Sequence, residues 1–247
     1  MLRFGRSRHA ASGDASGAPF AGAGAAGPSA GERRVAVDSD DPSRPVVRQA
    51  ADVLRSGGVV VLPTDTVYGI AQSVKACPEG ARRLFQIKRR PPEKSIAWLV
   101  DDAFALRKYG AQVPGYAMGL AEVFWPGGLT IVVRAGDAVP APFRGPGDTV
   151  ALRMPNCQLD LRVIERLGCP IATTSANTSG LPAPDSYAAL EERIREQADL
   201  VLDDGVTHSL VASTVVVCTA GEPRVVRTGS VEPEMIARIA GSVVVEG

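Results

Sequence analysis

Val59-Val60-Val61-Leu62-Pro63-Thr64-Asp65-Thr66-Val67-Tyr68-Gly69 is the stretch on which the fold reading turns. Four consecutive apolar residues, framed by Gly57-Gly58 and Pro63, read as a short buried strand. A dense set of hydroxyls follows at once. A second junction of this kind lies downstream, where Cys169-Pro170-Ile171-Ala172 runs toward Ser175-Ala176-Asn177-Thr178-Ser179-Gly180. In open α/β sheets, ligand groups collect just beyond the carboxyl ends of strands. Hydroxyls and amides are costly to bury without partners, so their density at two strand ends implies a ligand that satisfies them. Between the junctions lies Lys88-Arg89-Arg90-Pro91-Pro92-Glu93-Lys94, preceded by Arg82 and Arg83. A cationic loop beside hydroxyl-lined strand ends suits an anionic, phosphorylated ligand.

Outward from these junctions, helical and strand signals alternate from Arg33 onward. Apolar residues at 46, 47, 50, 53 and 54 make one helical face, which Gly57-Gly58 terminates. Helices are expected over 81–87, 103–109, 116–124 and 160–167. Another, capped by Asp185 or Ser186, would bury Tyr187, Leu190, Ile194 and Ala198. Pro233 opens a short last helix. Strands are expected at 96–100, 129–133, 150–152, 200–202, 214–217 and 224–226. Several connections are too short for crossover helices, so the sheet is expected to be mixed. The fold class is α/β: one domain over 33–241, a twisted open sheet flanked by helices. Residues 1–31 are rich in Gly, Ala, Ser and Pro and read as a disordered extension.

Composition narrows the function. The 247 residues carry 27 basic and 27 acidic side chains. The extension holds Arg3, Arg6 and Arg8 against Asp14, so the remainder is slightly acidic. That balance argues against nucleic acid as the main ligand. Four scattered cysteines (Cys77, Cys157, Cys169, Cys218) form no CxxC pair and read as buried thiols. No apolar run is long enough to span a membrane, and the segment 1–31 lacks the apolar core of a secretory signal. A cytoplasmic protein is the expectation.

Familiar catalytic signatures are missing. There is no GxxxxGK[ST] phosphate loop and no GxGxxG opening a helix. The two histidines, His9 and His208, are placed for neither a Ser-His-Asp nor a Cys-His arrangement. Adjacent Asp203 and Asp204 would point to opposite faces of a strand, which argues against a two-carboxylate hydrolase.

Seven short motifs in order carry a resemblance: PTDTVYG (63–69), KRRPPEK (88–94), WPGGLT (125–130), DTVALRMP (148–155), ATTSANTSG (172–180), Ser-Thr-Val (213–215) and Arg-Thr-Gly (227–229). With them the chain resembles the YrdC/TsaC family, the threonylcarbamoyl-AMP synthases, from about residue 45 to 240. The short single-domain form is the match. The resemblance implies condensation of L-threonine, bicarbonate (or CO2) and ATP into threonylcarbamoyl-AMP, with release of pyrophosphate. A downstream transferase complex would then pass the threonylcarbamoyl group to tRNA, next to the anticodon. It further implies that Lys88 and Arg90 are catalytic and contact ATP together with Lys94, Thr149, Ser175, Asn177 and Arg227. L-Threonine would lie against Thr64, Arg153 and Thr173. Mg2+ is expected on ATP oxygens and water rather than in a protein cage, and a weak contact with tRNA is a further expectation.

The chain departs from the family pattern at Ser95, Leu99, Gly128, Ala183 and Thr228, which bears on the finer contacts around the nucleotide and threonine. Plainer readings accompany each motif. PTDTVYG would also suit a strand-to-helix turn, with Thr64 or Asp65 capping the helix. SANTSG would suit an ordinary polar loop, and residues 82–94 a solvated face. Arg153, embedded in an apolar strand, needs either a ligand or a buried ion pair. The alternative for the whole chain is a non-catalytic RNA-binding module of the same fold. A related carbamoyl-adenylate former using another carbamoyl donor ranks behind it.

Overall fold

The computed structural model of the chain describes residues 33–89, 96–207, 209–219 and 221–246. Twelve strands occur in them: β1 Arg34–Ala36, β2 Val60–Leu62, β3 Gly69–Ser73, β4 Ala97–Leu99, β5 Gly110–Ala111, β6 Leu129–Ala135, β7 Thr149–Arg153, β8 Ile171–Ser175, β9 Leu200–Asp203, β10 Thr214–Val217, β11 Arg224–Arg227 and β12 Val244–Val245. The seven α-helices are α1 Arg44–Arg55, α2 Arg82–Lys88, α3 Ala105–Tyr109, α4 Gly115–Phe124, α5 Gln158–Leu167, α6 Glu192–Gln197 and α7 Pro233–Ala240. The strands form one sheet in the order β1-β9-β2-β3-β8-β4-β7-β6-β10-β11-β12, with β5 added alongside β6. Pairings are mixed: β2 runs parallel to β9 and antiparallel to β3, and β4 runs parallel to β7 and antiparallel to β8. The expected mixed α/β architecture is the observed one.

Strand alternation divides the apolar side chains between two cores. Val59, Val61, Trp98, Ile131, Leu152, Val201 and Val216 point into the larger core, which α2, α3, α4, α6 and α7 close with residues such as Leu84, Leu106, Leu120, Ile194 and Ile236. Val60, Leu62, Leu99, Ile171, Leu200 and Leu202 point the other way. On that second face α1 supplies Val47, Ala50 and Leu54, and α5 supplies Leu159, Val163 and Ile164. The clusters that α1 and α5 join there hold residues of β2, β3, β4, β8 and β9 and none of β6, β7, β10 or β11. No helix covers the rest of that face in these clusters, and its floor becomes the site.

Two expectations are corrected. PTDTVYG caps no helix, because it leads straight into β3, whose residues pair with β2 and β8. The Gly-Ile-Ala-Gln-Ser stretch of β3 is buried throughout and lacks the alternation that marks a half-exposed strand. The helix expected from Asp185 or Ser186 begins only after Glu191. Backbone groups of 184–186 are already engaged: Pro184 O accepts from Tyr68 N, Asp185 O accepts from Thr207 N, and Ser186 bridges Val206. Tertiary pairing has overridden the local helix signal there. The extension 1–31 lies outside the described residues.

Candidate functional site

On the open half of the second face lies a cavity of about 780 Å³. Its floor follows the strand period: Ala97 and Leu99 from β4, Thr149, Ala151 and Arg153 from β7, and Thr130, Val132 and Arg134 from β6. The floor continues through β10 and β11 with Val215, Val217, Arg224 and Arg227, and Thr173 and Ser175 of β8 form the opposite side. Thus Thr64, Thr149, Arg153, Thr173, Ser175 and Arg227, expected from the sequence to contact ligand, meet in one cavity.

The Pro63–Gly69 turn is built around Thr64. Its Oγ1 accepts from the backbone N–H of Thr66 (3.1 Å) and Val67 (3.3 Å) and donates to Val67 O (2.8 Å). This holds Asp65 and Thr66 against Arg153. The Arg153 guanidinium donates to Gly127 O at 3.0 Å, to Thr66 Oγ1 at 3.0 Å and to a carboxylate oxygen of Asp65. Of the two sequence readings of Arg153 the buried ion pair is the one observed, and the side chain also faces the cavity. Three of its five N–H groups are used by these bonds, which leaves two for a ligand. Thr173 Oγ1 donates to Ile70 O (3.3 Å) and Thr149 Oγ1 to Pro146 O (2.9 Å), so both hydroxyls keep lone pairs to offer.

Lys88 and Asn177 sit beside the cavity rather than on its lining. The Lys88 ammonium is buried and donates to Ser175 O, to Asn177 O (2.7 Å) and to Asn177 Oδ1 (3.2 Å). Asn177 Nδ2 in turn donates to Thr178 O (2.9 Å) and Leu181 O (2.6 Å). Glu191 accepts from both the amide and the hydroxyl of Thr178, which holds its carboxyl below the ordinary glutamate range. The Ser175–Gly180 loop is therefore pinned by the last residue of α2. Arg90 and Lys94 lie outside the described residues, as does Ser95.

At the other end, Arg227 donates to Ser213 O (3.0 Å) and Ser213 Oγ (2.9 Å), and Thr130 Oγ1 lies 2.9 Å from the same hydroxyl. Sequence reasoning assigned no role to Thr66, Thr130, Arg134, Ser213 or Arg224, all of which line the cavity. Thr130, Val132 and Arg134 share a strand face by their spacing of two, which was the available signal. Leu99 forms part of the floor, and Ala183 is exposed outside it.

Among the described residues the lining contains four arginines and a belt of hydroxyls but no carboxylate. Among the described residues no group of three or more His, Cys, Asp or Glu could hold a metal ion. The four cysteines are free. Fold and site together define a mixed α/β protein with an open-faced cavity whose arginines and hydroxyls suit an anionic, hydrogen-bonding ligand. The Sua5/YciO/YrdC family model, described as telomere recombination, matches residues 52–229, and the chain belongs to this family. It is 36% identical over 198 residues to the threonylcarbamoyl-AMP synthase of Pyrococcus abyssi, covering 80% of this chain and 58% of that protein. It is 32% identical over 204 residues to the putative threonylcarbamoyl-AMP synthase of Mycobacterium tuberculosis H37Rv, covering 83% and 93%. The structure of P. abyssi Sua5 complexed with L-threonine superposes with a TM-score of 0.80 at 32% identity, covering 86% of this chain and 62% of that one. The chain thus spans less than two thirds of its P. abyssi relative.

Proposed function

We propose that this chain condenses L-threonine, bicarbonate (or CO2) and ATP into threonylcarbamoyl-AMP and pyrophosphate, the first step of threonylcarbamoyladenosine formation in tRNA. The observation that carries the reading is one cavity holding Arg153, Thr64 and Thr173 at one end and Arg227 at the other. β7 and β11 are three strand positions apart, about 14 Å at the usual strand spacing, enough to seat an amino acid beside a nucleotide. The relative solved with L-threonine has this fold, which supports threonine as one substrate.

In this reaction the threonine amine and CO2 give a carbamate. A carbamate oxygen attacks the α-phosphorus in line, a new O–P bond forms, and the bond to the β-phosphate breaks as pyrophosphate leaves. The protein's part is positioning and neutralisation of charge. Arg153 takes the threonine carboxylate through its two remaining N–H groups, a charge-assisted contact. Thr64 and Thr173 flank it. Thr149, Ser175 and Arg227 take the nucleotide, with Arg90 and Lys94 on the phosphates and Lys88 adding its positive charge from beside the cavity, its three N–H groups being given to Ser175 and Asn177. Lys88 also keeps the Ser175–Asn177 turn in place. Among the described residues, a lining of hydroxyls and guanidinium groups offers none of the carboxylates by which a protein usually holds a resident Mg2+. The triphosphate oxygens and water would hold Mg2+, which would supply partial neutralisation of the phosphate charge. The product passes to a transferase complex in the cytoplasm, and among the described residues no helix is long and apolar enough to cross a membrane.

The test is pyrophosphate release, read with a coupled pyrophosphatase, from Mg–ATP and bicarbonate with and without L-threonine. Release that depends on both threonine and bicarbonate is expected. Release indifferent to threonine overturns the reading.

A further inference from the structure

Asp160 is a fully buried ionisable group that the mechanism above does not use. It stands in the first turn of α5, and the start of that helix packs on the turn after β2, where Cys157 Sγ lies 3.8 Å from Pro63 O. Both carboxyl oxygens are buried, and among the described residues the donor beside them is the weak one of the Cys157 thiol. Two charged groups act on the carboxyl, Asp65 and Arg153, which form the ion pair at the amino-acid end of the cavity. The other elements that meet α5 in this core, α1, β2, β3, β4, β8 and β9, contribute apolar residues. A first-turn position favours a carboxylate through the helix dipole. Complete burial without a strong donor outweighs that, and the Asp65 charge works in the same direction as burial. The carboxyl is therefore held as the neutral acid, well above the ordinary aspartate range, and burial pushes the Cys157 thiol up as well.

We propose that Asp160 is a positioning residue for the amino-acid subsite: uncharged, it leaves Asp65 to hold the Arg153 guanidinium, and its ionisation weakens threonine binding. Its role rests on the enzymatic reading, in which Arg153 takes the threonine carboxylate. With Asp160 neutral, the charges of Asp65 and Arg153 cancel, and an incoming carboxylate meets the guanidinium N–H groups left over by Gly127, Thr66 and Asp65. With Asp160 ionised, the three groups carry one net negative charge in a desolvated setting, where charges act strongly. That charge repels a carboxylate ligand and gives Arg153 a second anion to turn toward. Linkage makes the effect reciprocal: a carboxylate bound at Arg153 raises the proton affinity of Asp160, so binding draws in a proton wherever Asp160 is partly ionised. Threonine affinity thus falls as pH rises through the folded-state titration of Asp160. An acid with a purely structural role would make stability depend on pH and leave the threonine KM alone.

The test is the KM for L-threonine between pH 6 and pH 9, from pyrophosphate release, for wild type and Asp160→Asn. Dividing the wild-type KM by that of the variant cancels the titration of free threonine and bicarbonate. The quotient is expected to rise about tenfold across the range, the size of effect that one added charge several ångströms away exerts inside a protein. The corresponding quotient of kcat values should stay flat. Calorimetry of threonine binding at pH 8, in two buffers of different ionisation heat, should show more proton uptake by wild type than by Asp160→Asn. Cys157→Ser puts a stronger donor beside the carboxylate, so the rise in KM should move to lower pH. That shift stands as a test on its own should Asp160→Asn not fold. A flat KM quotient, equal proton uptake, or a Cys157→Ser shift toward higher pH overturns the proposal. Proton-linked threonine binding without pyrophosphate release would uphold it and count against the enzymatic reading alone.

Discussion

Arg153 and Asp65 form an ion pair at the edge of the cavity floor, with side chains only 7% and 13% exposed. A pair so buried is held for its orientation as much as for its attraction, because desolvation offsets much of the Coulomb gain. Asp65, steadied by the Thr64 turn, fixes the guanidinium from one side and leaves its remaining N–H groups to a ligand. Arg153→Lys keeps the charge and loses the fork. It is expected to raise the KM for L-threonine by about 10- to 100-fold, about 1.4–2.8 kcal/mol. The KM for ATP should stay near its wild-type value. Steady-state kinetics with each substrate varied in turn checks this, and equal effects on both would remove Arg153 from the threonine subsite.

Lys88 reaches two backbone carbonyls and one side-chain oxygen of the Ser175–Asn177 turn. Truncation to Ala leaves these acceptors buried without their donor, a penalty of about 1–3 kcal/mol. Lys88→Ala should therefore lower the thermal midpoint by several degrees and reduce turnover about 10²-fold or more, the usual scale for removing one charge-stabilising group. Differential scanning fluorimetry beside the pyrophosphate assay separates the two losses. A variant with unchanged melting and full turnover would show that the ammonium serves neither purpose.

Asp160, in the first turn of α5, is fully buried, with only the weak donor of the Cys157 thiol beside its carboxyl, so the group is poorly satisfied. Burial, and then the nearby Asp65 charge, push its carboxyl well above the ordinary aspartate range, while Arg153 pulls the other way. The folded state thus keeps a proton that the unfolded chain releases, so stability falls as pH rises above the unfolded value of about 3.9. Asp160→Asn removes that dependence. Its thermal midpoint should exceed wild type, with a larger gain at pH 8 than at pH 5. Melting curves at the two values check the sign, and a gain larger at pH 5 would contradict it.

Gly229, in the Arg-Thr-Gly motif, packs against the start of β10. A Cβ there would meet Ala212 O at 2.1 Å and Ser213 C at 2.6 Å, both backbone atoms that yield only if the strand moves. Gly229→Ala is expected to cost about 1–3 kcal/mol of stability. It should also raise the KM for ATP, because Ser213 supplies two acceptors to Arg227. A urea titration and an ATP dependence measure the two effects. Wild-type values in both would show that the chain relaxes around the methyl group at no cost.

Much of the framework was legible locally. Val59–Leu62, Ile96–Val100, Thr214–Val217 and most helices were found within a residue or two, because an apolar run or a helical stripe needs no knowledge of distant chain. β3 was missed because a strand buried on both faces shows no period. The helix after Asp185 was overextended because partners far away in sequence, Tyr68 and Thr207, hold the backbone there. Of the site, the hydroxyls at the ends of β2 and β8 were evident from their density. Thr130 and Ser213 fell inside quoted motifs yet drew no role, and Arg134 drew no notice, because none shows its place in the site until its strand is set in the sheet.

By itself the sequence determined the element types, the residues that form the strand-end turns and the family pattern, since these depend on neighbours a few residues apart. Only the tertiary structure decided that α1 and α5 cover one part of a sheet face and leave the remainder open. It alone paired Arg153 with Asp65 and set Lys88 on the Ser175–Asn177 carbonyls. Those outcomes depend on sheet order and helix placement, which bring together groups 88 and 87 residues apart. Alternation along a strand says that two faces differ. Long-range packing decides which face meets water, and in this chain that choice made the cavity.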